Sequence, residues 1–397
     1  MAEVGSWNNV GYLNLASFDY IDQSKIASID GVTFPYSVVA DISTIYVIGT
    51  TTTKPRISTN YGASFADIST GTLATSRSAT GHQNGTYQYT ITTDRKNIIV
   101  NGYSGTTSHV SRSHDGGSTW DVSMYSSVIF DFQGMSRDAS YAYVGEWTYP
   151  TYLRSTNRGY SFTSSGGFGG SLGPLNFAVS NDGRYVYTGT PNISSAPYSS
   201  SDYGVTFAAA GTTTGQHKLV SCDGSGQYVW AWYTGTHGAW LSTNYGVSFS
   251  RISNASGACY AGMFNDMSLL FYGQVTSGDA SAGLWVSTNQ GGSWTRITWP
   301  SGWAAATTNV SWSAEKKRVF ISQSTANKSV YKLNDTYSGW DLLTTMDVNV
   351  YGVPGTSEYR DEIAVADASY NVYNVNASTG ARTFIYSHGA PVIPSIF

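Results

Sequence analysis

Six octapeptides of one pattern, Ser-x-Asp/Asn-x-Gly-x-Ser/Thr-aromatic, run through the chain: STNYGASF (58–65), SHDGGSTW (113–120), STNRGYSF (155–162), SSDYGVTF (200–207), STNYGVSF (242–249) and STNQGGSW (287–294). Their starts are 55, 42, 45, 42 and 45 residues apart. A period of this length is that of one four-stranded propeller blade, a unit that buries its apolar faces only by stacking on its neighbours. The pattern has a local reason as well. Asp or Asn accepts hydrogen bonds from nearby backbone N–H groups, Gly permits positive φ, and the aromatic buries between sheets, so each octapeptide reads as a hairpin turn.

A second repeat lies upstream of each octapeptide, a turn acid between two alternating apolar runs, as in SRDASYAYVG, VSNDGRYVYTG and VSCDGSGQYVWAW. Alternation on both sides of a tight turn marks a hairpin of two strands. The acids at these turns are Asp41, Asp94, Asp138, Asp182, Asp223 and Asp266. Two weaker units follow, VSWSAEKKRVFISQ with KLNDTYSGW, and TSEYRDEIAVADA with NVNASTGARTF. The expectation is an all-β single propeller of about eight four-stranded blades, with seven as the alternative. The string SIDGVTF (28–34) is too close to the next turn to be a further blade, since Asp41 follows Phe34 by only seven residues. Residues 1–34 are therefore expected to form an extra hairpin or closure segment, 35–387 the propeller, and 388–397 a tail.

The octapeptides resemble the Asp-box, or BNR, repeat of sialidase-like and sortilin-like propellers. The resemblance implies that each box joins the third and fourth strands of a blade, on the face opposite the ligand site, and that its residues are structural. Sialidases of this kind use an arginine cluster, a Tyr/Glu nucleophile pair and an Asp acid, and this chain departs from that set. It has no Arg-Ile-Pro motif near its start; Lys54-Pro55-Arg56-Ile57-Ser58 runs into a box and reads as a third strand.

In a blade with strands A to D from the inside out, the A–B and C–D turns share one face, and the B–C and D–A loops share the other. Both repeats fall on the first face. The variable segments 76–85, 146–152, 163–173, 192–198, 233–240 and 298–306 fall on the second, and variable loops on a rigid scaffold are the usual carriers of binding. Candidate ligand-binding residues there are Trp147, Tyr149, His237, Trp299 and Trp303, with Arg77, His82 and Glu146 as the few charges. Tyr152, Phe168, Tyr198 and Tyr233 share these loops, and aromatics among Ser, Thr, Gly and Asn make an adaptable contact surface. The competing reading of any one of them is packing between blades.

Catalytic arrangements are scarce. Of 25 acids only Glu3, Glu146, Glu315, Glu358 and Glu362 are glutamates, and the aspartates are mostly turn acids. A glycosidase needs two carboxylates about 5–10 Å apart; Glu146 could pair with an aspartate such as Asp279 on the loop side, and a solvated acid is the simpler reading. Gly169-Gly170-Ser171-Leu172-Gly173 matches a nucleophile elbow but lies in a Gly-rich loop ending at Pro174, without the strand and helix the elbow needs. The six histidines show no metal spacing, no cofactor motif is present, and Glu315-Lys316-Lys317-Arg318 reads as a solvated turn. Cys222 and Cys259 are expected to be free thiols, near opposite ends of neighbouring inner strands.

A formal charge of -4 and a pI near 5.8 argue against nucleic acid and anionic membrane surfaces. No apolar run approaches the roughly 18 residues of a membrane span, and the first residues carry no basic start or apolar stretch of a secretory signal. The reading is a non-enzymatic recognition propeller binding a glycan, a cell-surface receptor or neighbouring proteins of a larger assembly. Its expected setting is extracellular or a virion surface, such as a bacteriophage tail component. The alternatives are a divergent glycoside hydrolase and a purely structural assembly propeller.

Overall fold

The structure is a computed structural model. It describes residues 28–29, 32–33, 46–48, 56–58, 64, 66–67, 88–92, 96–104, 107–126, 130–146, 151–167, 176–189, 197–210, 219–232, 239–252, 259–264, 266–274, 282–303, 308–313, 316–323, 328–350, 355–356, 361–369 and 371–387. Residues 1–43 and 44–397 form two separate compact units. In the first, Ser28–Ile29 pairs antiparallel with Val32–Thr33.

The second unit is a β-propeller, and no helix occurs among the described residues. Seven antiparallel sheets have four strands each, taken in chain order as A to D. Blade 1 comprises Gln88–Ile91, Ile98–Ser104, Thr107–Ser113 and Asp121–Ser126, and blade 2 Phe130–Met135, Ala142–Glu146, Thr151–Ser155 and Thr163–Gly167. Blade 3 comprises Phe177–Val179, Val186–Thr188, Tyr198–Ser200 and Ala208–Ala209, and blade 4 Leu219–Cys222, Val229–Trp232, Ala239–Ser242 and Ser250–Arg251. Blade 5 comprises Cys259–Met263, Leu270–Gln274, Gly283–Ser287 and Thr295–Ile297, and blade 6 Thr308–Ser313, Arg318–Gln323, Ser329–Leu333 and Trp340–Thr345. Blade 7 comprises Gly355–Thr356, Glu362–Ala366, Asn371–Asn376 and Arg382–Ser387.

Among the described residues seven sheets have all four strands, which fits the alternative count of the sequence reading. The first sequence unit appears as a three-stranded sheet of Tyr46–Ile48, Arg56–Ser58 and Ala66–Asp67, while Asp41 and Asp94 lie outside the described residues.

Strands A lie beside one another from blade 1 to blade 4, so they are the inner strands. Strand B is covered on both faces: Val186, Tyr187 and Thr188 are all buried, as are the last five residues of Arg318–Gln323. Strand D faces solvent, and Ala208, Ala209, Ser250 and Arg251 are exposed. The core accordingly lies between blades rather than within them. Tyr143, Tyr152, Phe177 and Val186 form one cluster from blades 2 and 3, while Trp230, Leu241, Met263 and Leu270 form another from blades 4 and 5.

Two residues expected in loops belong to this core. Tyr152 sits in strand C of blade 2 at 2% exposure, and Tyr198 begins strand C of blade 3, packed on the same cluster. They end the variable segments 146–152 and 192–198, but strand C starts at Thr151 in blade 2 and at Tyr198 in blade 3.

Cys222 closes strand A of blade 4 opposite Val229, at the turn, whereas Cys259 opens strand A of blade 5 opposite Gln274, at the far end. Cys222 is a free thiol, and burial pushes its ionisation far up.

Candidate functional site

The two sequence repeats meet on one face. In the octapeptide of blade 3, Asp202 Oδ1 accepts from Ser200 Oγ (2.7 Å) and Thr206 N (3.0 Å), and its Oδ2 from Thr206 Oγ1 (2.6 Å). Gly204 N donates to Ser200 Oγ at 2.9 Å. Ser113 and Asp115, Ser155 and Asn157, Ser242 and Asn244, and Ser287 and Asn289 repeat this geometry. The fourth position takes positive φ as well as the glycine: Arg158 (60°), Tyr203 (62°), Tyr245 (60°) and Gln290 (58°) precede Gly159, Gly204, Gly246 and Gly291. Two successive left-handed residues give the tight hairpin whose twist suits the strands it joins. The weaker seventh unit keeps part of it, with Asn334 Oδ1 accepting from Ser338 N at 2.9 Å.

The A–B turns use their acids in the same way. Asp138 accepts from Ser136 Oγ and Ser140 N, Asp182 from Ser180 Oγ and Arg184 N, Asp223 from Tyr228 N, and Asp266 from Ser268 N. The turns also join blades: Arg137 N donates to Asn181 O (3.0 Å), and Asn181 N to Gly224 O (2.8 Å). Buried tyrosines reach across to the next blade. Tyr143 donates to Tyr203 O (2.9 Å), Tyr152 to Gly204 O (2.8 Å) and Tyr187 to Gly226 O (2.7 Å). Burial raises all three phenols, Tyr152 to about 12.

Asp115, Asp138, Asp202 and Asp266 are held below the usual carboxylate range while accepting hydrogen bonds from their own turns. Burial pushes Asp115 and Asp202 up, but the hydrogen bonds from Thr119 and Thr206 outweigh it and hold both below the usual carboxylate range. Such groups cannot serve as proton donors near neutral pH. Residues 316–318 lie at a solvent-facing turn, in keeping with the sequence reading, and two of them also make ion pairs to neighbouring blades. Lys317 pairs with Asp266 of blade 5 and Arg318 with Asp361 of blade 7, while Lys316 is exposed and Glu315 lies outside the described residues. Only proximity in the ring reveals those partners.

Of the candidate ligand residues, Trp299 and Trp303 are brought together, in the segment after strand D of blade 5. Both are half-buried against blade 6. Trp299 stacks on Trp340 with centroids 5.8 Å apart, Trp303 meets Tyr331 edge-on at 5.3 Å, and Trp340 Nε1 donates to Thr298 O. They wedge blades 5 and 6 together as well as bordering the loops. Glu146 ends strand B of blade 2 opposite Phe130, which positions the start of the following loop. Trp147, Tyr149, His237, Arg77 and His82 lie outside the described residues, as do Phe168, Tyr233 and Asp279. No group of three or more His, Cys, Asp and Glu fit for a metal exists among the described residues, and no helix there is long and apolar enough to cross a membrane.

One cluster has no counterpart in the sequence expectations. Arg112, buried in strand C of blade 1, donates to His114 Nε2 (2.8 Å) and Asp121 Oδ2 (3.2 Å), and its guanidinium lies over the Tyr160 ring. His114 itself stacks on Tyr160 of blade 2, 4.5 Å between centroids. A histidine in the second octapeptide position, where the others carry Thr or Ser, was the available signal.

No protein-family model matches the chain, and no curated protein matches it. Solved structures do resemble it. An ancestral GH74 enzyme aligns at 12% identity with a TM-score of 0.53, over 85% of this chain and 52% of its own, so this chain spans about half that enzyme's length. The dihydro-heme d1 dehydrogenase NirN in complex with DHE aligns at 13% identity and TM-score 0.52, over 75% and 65% respectively. Sqt1 of Saccharomyces cerevisiae aligns at 10% identity and TM-score 0.53, over 75% and 83%. At such identities the likeness is one of fold alone.

Proposed function

We propose that this propeller is a non-enzymatic recognition module of Asp-box type, binding a glycan or a protein partner through its B–C and D–A loops. The observation that supports it most is the asymmetry between the two faces. On the turn face the box and turn acids are consumed by hydrogen bonds and ion pairs that hold the ring together. The opposite loops carry the aromatic variety in sequence, and of these residues Trp299 and Trp303 are held half-buried against blade 6, as a recognition surface on a rigid scaffold requires. A cell surface or a virion is the setting we propose, with a tail or surface component as its form. The likeness to a GH74 enzyme concerns the fold, and hydrolysis needs a carboxylate pair that the turn acids do not supply.

The test is a glycan and protein binding screen run beside a hydrolysis assay on the same substrates. Trp147→Ala is expected to weaken binding about fivefold or more with little change in melting temperature. Asp202→Ala is expected to cost about 1–2 kcal/mol of stability and leave binding intact in the folded fraction. Turnover of any bound glycan, or loss of binding in folded Asp202→Ala with Trp147→Ala unaffected, overturns the reading.

A further inference from the structure

Within each octapeptide, positions one, three, five and seven are tied into the turn and position eight packs inward, as Phe162, Phe207, Phe249 and Trp294 do. Positions four and six point outward. In blades 2 to 4 they carry the exposed Arg158 and five exposed apolar side chains: Tyr160 (51%), Tyr203 (37%), Val205 (53%), Tyr245 (39%) and Val247 (73%). In blades 1 and 5 the same positions hold Gly116, Ser118, Gln290 and Gly292, so the apolar arc has polar ends. Five of the seven large exposed hydrophobics among the described residues belong to it. An exposed, bounded patch of this kind marks a binding surface.

The rings are held as platforms. Tyr160 stacks on His114 and Tyr203 on Tyr141 (4.8 Å, 27°), while Tyr245 lies tilted against Tyr185 (4.6 Å, 31°), each against a residue of the preceding blade. One face of each outer ring is therefore fixed, and the ring stays substantially exposed. Of the charges nearby, Arg112, Arg154 and Arg184 lie over Tyr160, Tyr141 and Tyr185, Asp182 and Asp202 accept from their own turns, and Arg158 is exposed at the blade 2 end of the arc.

The occupant follows from that chemistry. A nucleic acid stacks on aromatic platforms but needs a positive groove, and this arc has carboxylates among its guanidinium groups. A stable protein interface takes about 20–30 residues per side, whereas this arc offers five outward apolar side chains on three turns. Neutral sugar rings present C–H faces to aromatics and hydroxyl edges to side chains such as the exposed Ser201, Thr206 and Ser248. The geometry points to a second binding surface, on the turn face, for a neutral polysaccharide whose pyranose rings stack on Tyr160, Tyr203 and Tyr245. This surface is distinct from the loop face.

Affinity electrophoresis in native gels containing soluble glucan, mannan or galactan tests it, with polygalacturonate as the acidic comparison. At least one neutral polymer is expected to retard the wild type. The double variant Tyr203→Asn/Tyr245→Asn, in which Asn tolerates the positive φ, is expected to weaken that retardation at least tenfold. Leu342→Asn, at an exposed apolar residue outside the arc, should leave it unchanged. If the double variant melts markedly lower, Tyr160→Gln carries the comparison. Lack of retardation by all three neutral polymers overturns the proposal, as does retardation that survives both sets of substitutions or disappears in Leu342→Asn. Self-association seen by sedimentation and abolished by Tyr203→Asn/Tyr245→Asn would make the arc a protein interface instead.

Discussion

Gly204 shows how much one residue type carries in this chain. It adopts φ of 70°, and a Cβ placed on it would stand 2.4 Å from Tyr143 Cε1 of the neighbouring blade. The left-handed conformation alone costs an L-residue about 1–2 kcal/mol, and overpacking a rigid ring adds about 1–3 kcal/mol. Gly302 has nearly the same φ, 74°, but nothing within 4 Å of its Cβ position. Gly204→Ala should therefore destabilise by several kcal/mol and Gly302→Ala by only about 1–2 kcal/mol. Urea unfolding of the two variants checks this, and equal losses would show that backbone strain alone sets the cost. The octapeptide pattern marks the first glycine. Its contact with Tyr143 was not legible, because the two are 61 residues apart and meet only when blades stack.

At the scale of the element, the turn between strands C and D is where one blade grips the next, and the His114 cluster makes one such grip sensitive to pH. Burial first, and the Arg112 guanidinium second, hold His114 below its ordinary 6.5, against the raising effect of Asp121 and Asp115, with Arg158 also lowering it. The neutral ring accepts from Arg112 and stacks on Tyr160. A depressed imidazole contributes stability that is complete above the unfolded value of 6.5 and is lost as pH falls through the folded value. Wild-type protein should thus lose more unfolding free energy between about pH 7.5 and 5 than His114→Gln does. A difference of opposite sign in paired denaturant titrations would mean that Asp121 dominates.

Across the whole molecule, successive blades are joined by apolar clusters and by links on the turn face. Desolvation works to raise Asp266, yet the bonds from Lys317 and Ser268 prevail and hold it at about 2. Its stabilising contribution is present above 3.8 and lost as pH falls through about 2. Both side chains are nearly half exposed, so the pair is worth less than a buried one. Lys317→Met is expected to raise the Asp266 carboxyl and shift the acid limb of unfolding to higher pH. A carboxyl titration followed by NMR reads the first directly, and an unmoved Asp266 would show that Ser268 alone sets it.

What the linear chain determined is local. Octapeptide spacing, alternation and turn chemistry specify blades, their strand order and the face on which the boxes lie, because hairpins join neighbours in sequence and their signals are complete within about ten residues. Turn acids at Asp138, Asp182, Asp223 and Asp266 were legible for that reason. What only the tertiary structure decided is relational: the burial of Tyr152, the wedge of Trp299 and Trp303, the partners of Lys317 and Arg318, and the outward arc of Tyr160, Tyr203 and Tyr245. Each of these depends on which surfaces of two adjacent blades come into contact, and residues tens of positions apart leave no periodic trace of that in the chain.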